Sequence, residues 1–200
     1  MKQEKSWDEF EKYSVKVTTR FLKEFPERAT RNCETEQKQI KNIRQAFDKE
    51  IKPNKRTTRP DYLVSEILEM VFGHDNSQRD EIQDNYIEQK QSEAMIGQLL
   101  ERYIALRGKD YGWAFTGECI KSVDFIKNEA RNWVTLQVKT SSHTEHYYST
   151  SVRDGTEIQK WVRRNAPKGT YLWDSFPDKE LSKELSEEGF FEFVRDYFHN

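Results

Sequence analysis

The stretch from Val123 to Lys139 constrains the fold more than any other part of the chain. It opens with the apolar segment Val123-Asp124-Phe125-Ile126, passes through the polar run 127–132, and returns as Trp133-Val134-Thr135-Leu136-Gln137-Val138-Lys139. Short β-branched and aromatic runs on either side of a turn-length gap predict a β-hairpin, since such side chains suit a pleated, half-buried surface. A third run, Trp113 to Ile120, precedes it. The reading is therefore three antiparallel strands at 113–120, 122–126 and 133–139, with a fourth at 170–173.

The rest reads as helical scaffold. Trp7, Phe10, Tyr13, Val17, Phe21 and Phe25 recur at three- and four-residue steps between a Ser6 N-cap and a Pro26 stop. A second helix is predicted over 35–51, with Ile40, Ile43, Phe47 and Ile51 on one stripe. A third runs over 61–72 and is closed by Gly73. A long helix over 77–106 is best patterned in its second half, where Met95, Ile96, Leu99, Leu100, Tyr103 and Ile104 share a face beside Glu101. After the hairpin, a helix over 156–164 turns Ile158, Trp161 and Val162 inward and Lys160, Arg163 and Arg164 outward. A closing helix spans 182–198. The fold class is α/β in the α+β sense: a helical region over 1–75, then a sheet-containing core over 76–200, compact as one domain.

Composition narrows the function classes. The net charge of −2 gives no global case for a polyanionic partner, but residues 131–170 hold seven Lys/Arg against three Asp/Glu, and residues 171–200 hold three against eight. Cys33 and Cys119 are the only cysteines and are far apart in sequence, which argues against a disulfide scaffold or a cysteine zinc site. The N-terminal residues lack an apolar signal core, and no run of 18 apolar residues exists, so the expectation is a soluble, cytoplasmic protein without a membrane partner.

The hairpin carries the chemistry. Residues two apart on a strand share a face, so Gln137 and Lys139 point one way and Val138 the other. With Asp124 on the neighbouring strand, one carboxylate, one amide and one ammonium meet in a small volume. Mg²⁺ binds through one or two carboxylates and keeps several waters. Asp124 is then the essential ligand, with the Gln137 amide oxygen or the Val138 carbonyl as a weaker second. Lys139 is placed to orient or deprotonate water and to stabilise charge gathering on phosphorus. Glu101 is the candidate further acid; Glu93 and Glu118 are the alternatives.

Residues 93–177 resemble type II restriction endonucleases of the PD-(D/E)XK nuclease superfamily, and among them the SinI-type enzymes. Val123-Asp124 stands in the place of Pro-Asp and Gln137-Val138-Lys139 in the place of (D/E)-x-K, followed by Lys139-Thr140-Ser141, Thr144-Glu145, Gly155-Thr156, Lys160-Trp161 and Trp173 to Pro177. The resemblance implies a nuclease core with a central mixed β-sheet flanked by helices. It also implies a Mg²⁺-dependent cutter of double-stranded DNA that acts as a homodimer on a short symmetric site, GGWCC-like in these enzymes. A cognate DNA methyltransferase would belong to the same restriction-modification system. Two departures stand out. Val123 replaces Pro at little cost, whereas Gln137 replaces an acid and removes one negative ligand.

On this reading the polar run 140–150 reaches base edges while Lys and Arg meet phosphates. Arg153 is the candidate for a bidentate guanine contact, against a partnership with Asp154 or a helix cap. Ser141, Ser142, His143 and Glu145 are lesser base readers, and Lys160, Arg163, Arg164 and Lys168 suit phosphates. Lys55 and Arg56 belong either to a solvated loop or to a phosphate-contacting arm. Two other readings compete with a site-specific nuclease: a non-catalytic or repair-type DNA-binding protein of the same fold, favoured by Gln137, and a helical interaction protein whose hairpin is only structural.

Overall fold

The structure is a computed structural model that describes residues 2–54, 61–130, 132–142 and 158–199. The chain divides into two compact units, residues 1–50 with 99–200, and residues 51–98. The boundary expected from sequence at 75/76 lies inside the smaller one.

In chain order the helices are α1 (Lys2–Glu24), α2 (Glu36–Asp48), α3 (Tyr62–Phe72) and α4 (Asn76–Gly108). Ser6 therefore lies inside α1 and is not its cap. α2 starts where the Thr35 hydroxyl accepts from the Lys38 N–H at 3.4 Å. α3 is capped by Asp61, which accepts from the Leu63 N–H at 3.0 Å, and ends at Gly73 in the left-handed region at φ 72°. Strands β1 (Trp113–Phe115), β2 (Phe125–Glu129), β3 (Asn132–Ser141), β4 (Ile158–Asn165) and β5 (Thr170–Tyr171) follow, then α5 (Lys179–Ser182) and α6 (Glu187–His199). The closing helix expected over 182–198 is α6, which starts only at Glu187, after the short α5 that ends at Ser182.

The five strands form one mixed sheet in the order β1-β2-β3-β4-β5. The first three are antiparallel, as predicted. The hairpin turn is tighter than expected: Glu129 pairs with Asn132, so β2 takes in the residues read as a loop, and Ala130 carries φ 47° to close it. The run 113–120 stops being a strand at Phe115. Beyond it, the Cys119 N–H donates to the Thr116 carbonyl at 3.1 Å, and Gly117 takes φ 56°.

The main correction concerns 156–164. From Ile158 on, the segment expected as a helix is strand β4, running parallel to β3 from Thr135↔Ile158 to Ser141↔Arg164. Ile158, Trp161 and Val162 sit at helical spacing, but Trp161 and Val162 are buried on opposite faces of the sheet, which erases the period-2 signal. Trp161 packs on Trp173 (5.2 Å between ring centroids) and Phe176 (5.1 Å).

The two faces are covered differently. Over one lie the C-terminal turns of α4, together with α5 and α6. There Leu99, Leu100, Tyr103 and Ile104 join Trp113, Phe125, Leu136, Val138, Trp161, Phe176 and Phe190 in a buried aromatic and aliphatic core. Over part of the other lie α1 and α2: Phe21 meets the Trp133 ring edge-on at 5.2 Å, and Val15, Leu22 and Ile43 close over Ala114 and Ile126. Further along β3 on this second face come Thr135, Gln137 and Lys139.

Candidate active site

Asp124 stands at the start of β2 and its backbone is held from both sides. Its N–H donates to the Leu136 carbonyl at 2.9 Å, and its carbonyl accepts from the Thr116 N–H at 2.9 Å. The antiparallel register places Asp124 across from Gln137. Its carboxylate Oδ2 accepts the Val138 N–H at 2.7 Å, a charge-assisted bond that fixes the side chain against β3. Thr116 also donates its hydroxyl to the Val123 carbonyl at 2.5 Å. This fully buried threonine was not singled out from the sequence; the one available signal was a hydroxyl ending an apolar run, Trp113-Ala114-Phe115-Thr116.

Glu101 on α4, Asp124 and Lys139 on β3 form one electrostatic group. Burial, followed by the negative charge of Asp124, pushes the Glu101 carboxyl up to about 8, while the Lys139 ammonium pulls it down. Burial likewise raises Asp124 to about 6, opposed by the Val138 N–H and by Lys139. Two buried carboxylates, one raised by the charge of the other, with the single ammonium of Lys139 acting on both, leave negative charge only partly compensated. A divalent cation would relieve that repulsion, so the donor set suits Mg²⁺ with Asp124 and Glu101 as its acids. Glu118, in the turn after β1, adds to the negative potential at Glu101 and is anchored by its N–H on Asn42 Oδ1 at 2.9 Å. Glu93 pairs instead with Lys90 at 3.0 Å within the 51–98 unit. Among the described residues no group of three or more His, Cys, Asp or Glu gathers that could hold a metal as a protein-only cage.

The strand character of β4 redistributes the basic residues. Lys160 lies in register with Gln137, and Arg164 with Ser141, so both stand on the face that carries Lys139. Arg163 points the other way. Its guanidinium is mostly buried, pairs with Glu187 Oε1 at 2.5 Å and lies over the Phe190 ring, so the expectation of an outward phosphate ligand is corrected. Ser142 closes the β3–β4 end: its N–H donates to the Arg164 carbonyl at 3.0 Å, and its hydroxyl accepts from the Ala166 N–H at 3.1 Å. Lys55, Arg56, His143, Glu145 and Arg153 lie outside the described residues. No helix among the described residues is long and apolar enough to cross a membrane.

A sequence profile of the SinI restriction endonuclease family matches residues 8–200. The type II restriction enzyme Eco47I of Escherichia coli is 34% identical over 195 residues, covering 91% of this chain and 85% of the relative. The type II restriction enzyme SinI of Salmonella infantis is 38% identical over 149 residues, covering 73% of this chain and 65% of the relative. The mixed sheet between helices is the architecture expected of such a nuclease core, and the matched span takes in every element of that sheet. The chain belongs to the SinI restriction endonuclease family.

Proposed function

We propose that the chain is a type II restriction endonuclease that hydrolyses phosphodiester bonds of double-stranded DNA at a specific sequence, with Mg²⁺ held by Asp124 and assisted by Glu101 and Gln137. The observation that carries the reading is the Asp124–Glu101–Lys139 group, in a chain whose relatives are site-specific DNA-cleaving enzymes. A Mg²⁺ ion held by these residues would neutralise charge on the scissile phosphate.

The protein's own groups do the rest. The Val138 N–H holds the Asp124 carboxylate in one orientation. Lys139, on the same face as Gln137, is placed to orient the attacking water and to stabilise the negative charge that gathers on the phosphoryl oxygens. The water oxygen forms a new P–O bond as one bridging P–O bond breaks; the water's proton passes to solvent and the departing sugar oxygen takes one up from it. Gln137 supplies a neutral oxygen where an acid would add a further negative ligand beside Asp124 and Glu101, so metal binding is weaker than with Glu. Lys160 and Arg164, on the same face, suit the flanking phosphates.

A homodimer and a companion methyltransferase complete the proposal. One such group cuts one strand, a two-fold target matches a two-fold protein, and an unprotected host genome would be cut. Incubating the purified protein with phage DNA and Mg²⁺ is expected to give discrete fragments, and Asp124→Ala is expected to abolish them. A smear would point to a repair-type nuclease. Salt-sensitive duplex binding with no cutting in Mg²⁺ or Mn²⁺ would point to a non-catalytic DNA-binding protein.

A further inference from the structure

A second charged surface lies on the same side of the sheet as the candidate centre and takes no part in it. α1 changes character along its length: its first half mixes acids and bases, whereas from Lys12 to Lys23 it carries four cations and no acid. Lys12, Lys16, Arg20 and Lys23 line a groove of about 620 Å³ between α1 and α2, floored by Val15 and Ile40. Its acids leave the charge positive. Glu11 is occupied by a bidentate pair with Arg44, at 2.8 to 3.1 Å, and only Glu36 remains on the α2 side. Lys12, Lys16 and Lys23 are exposed and have no ion-pair partner among the described residues. Arg20 pairs with Glu24 at 3.5 Å; like charges at four-residue spacing destabilise an isolated helix slightly, and a polyanion seated opposite the row would offset that.

We propose that this groove seats backbone phosphates of the DNA substrate, as a docking track separate from the centre that cuts. The spacing fits. Lys12 to Lys16 is about 6 Å along the axis and Lys12 to Lys23 about 16 Å, a span over which one DNA strand presents roughly five phosphates. The position fits as well. Phe21 of α1 abuts Trp133, and from Trp133 to Gln137 is four residues of strand, about 13 Å. A duplex lying over Gln137 and Lys139 covers about 34 Å in one turn, enough to pass α1. The contact is sequence-independent: it adds affinity and register, and the reading of bases stays elsewhere.

The inference rests on the DNA substrate but not on the metal ligands, so it is tested in EDTA. Binding of a fluorescein-labelled 40-base-pair duplex, centred on the sequence at which the digest cuts, is followed by anisotropy between 50 and 200 mM NaCl. The triple variant Lys12→Ala/Lys16→Ala/Lys23→Ala changes only exposed side chains, and an unchanged melting temperature confirms its fold. Relative to wild type, its slope of log affinity against log salt is expected to be shallower by about 2 to 3, at roughly 0.9 per lost contact, with affinity at least about tenfold weaker at the low-salt end. Phosphate ethylation interference is expected to lose a contiguous run of contacts that Lys160→Ala leaves in place. An unchanged slope, or loss of the same phosphates in both variants, would overturn the proposal. Failure of the nuclease reading shows separately, as absence of fragments in the Mg²⁺ digest.

Discussion

The two faces of β3 differ by one residue step and do opposite work. Leu136 and Val138 point into the aromatic core and are 0% and 5% exposed, while Gln137 and Lys139 take the other face, and the Lys139 charge acts on the carboxylates of Asp124 and Glu101. On the first face the contacts are mainly apolar, with the Arg163–Glu187 pair at the margin, and removal from water supplies the stabilisation, about 1.5–3 kcal/mol per large side chain. On the second, charges are crowded in poorly hydrated surroundings and cost stability until a cation arrives. The contrast teaches that fold and chemistry are separable here at single-residue resolution, because the pleat sends neighbours to different environments.

Substitutions at adjacent positions should therefore give opposite phenotypes. The largest expected effect is on cleavage. Asp124→Asn keeps the shape and leaves an oxygen for the Val138 N–H, yet removes a negative ligand. DNA cleavage should fall by roughly 10³-fold or more, equivalent to about 4 kcal/mol of barrier. The melting temperature in metal-free buffer should hold or rise. Loss of fold together with activity would mean that this face is structural after all. Leu136→Ala inverts the pattern: about 2–5 kcal/mol of stability is lost by chemical denaturation, from lost burial and the cavity left behind. The molecules that remain folded should cut nearly as wild type does.

How much of this was legible in the sequence follows from the same contrast. The hairpin could be read because short aromatic and β-branched runs flank a polar gap of turn length, and in β3 Leu136 and Val138 alternate with Gln137 and Lys139. α2 and α3 could be read because Thr35, Asp61 and Gly73 are local capping signals whose chemistry does not depend on the rest of the fold. β4 could not. Trp161 and Val162 are buried from both sides, and its pairing partner, β3, is remote in sequence; parallel pairing leaves no local turn signal. The meeting of Asp124 with Gln137 and Lys139 followed from hairpin register, whereas the proximity of Glu101 depends on how α4 lies against the sheet, which spacing cannot give. Arg163 and Arg164, neighbours of like type in sequence, are separated by the pleat into a buried ion pair and a surface cation.

The carboxylate face makes a pH prediction as well. Glu101 at about 8 and Asp124 at about 6 both lie above their ordinary values. The folded, metal-free protein therefore binds protons more tightly than the unfolded chain. Stability from these groups is full below about pH 4 and declines as pH rises through about 6 and then about 8. Glu101→Gln removes the upper part of that decline. Between pH 5 and 9 the wild type should lose up to about 4 kcal/mol more than the variant, and saturating Mg²⁺ should close the gap. Parallel curves in metal-free buffer would show that Glu101 is not set against Asp124.

The smallest effect separates the two arginines of β4. Glu187 accepts from Arg163 at 2.5 Å with Oε1 and from the Trp173 indole N–H at 3.0 Å with Oε2, so it neutralises a guanidinium beneath the aromatic core. In Glu187→Gln the amide can still accept, but the bonds lose charge assistance and the Arg163 charge loses its counterion. About 1 kcal/mol of stability should go, seen as a lower denaturant midpoint at unchanged slope. DNA affinity and its salt dependence should stay at wild-type values, because Arg163 faces away from Gln137 and Lys139. Arg164→Ala should do the reverse, leaving the midpoint within a few tenths of a kcal/mol and lowering the salt slope by about 0.9. A salt slope that moved with Glu187 would place Arg163 back among the phosphate contacts and erase the division between the faces at this strand.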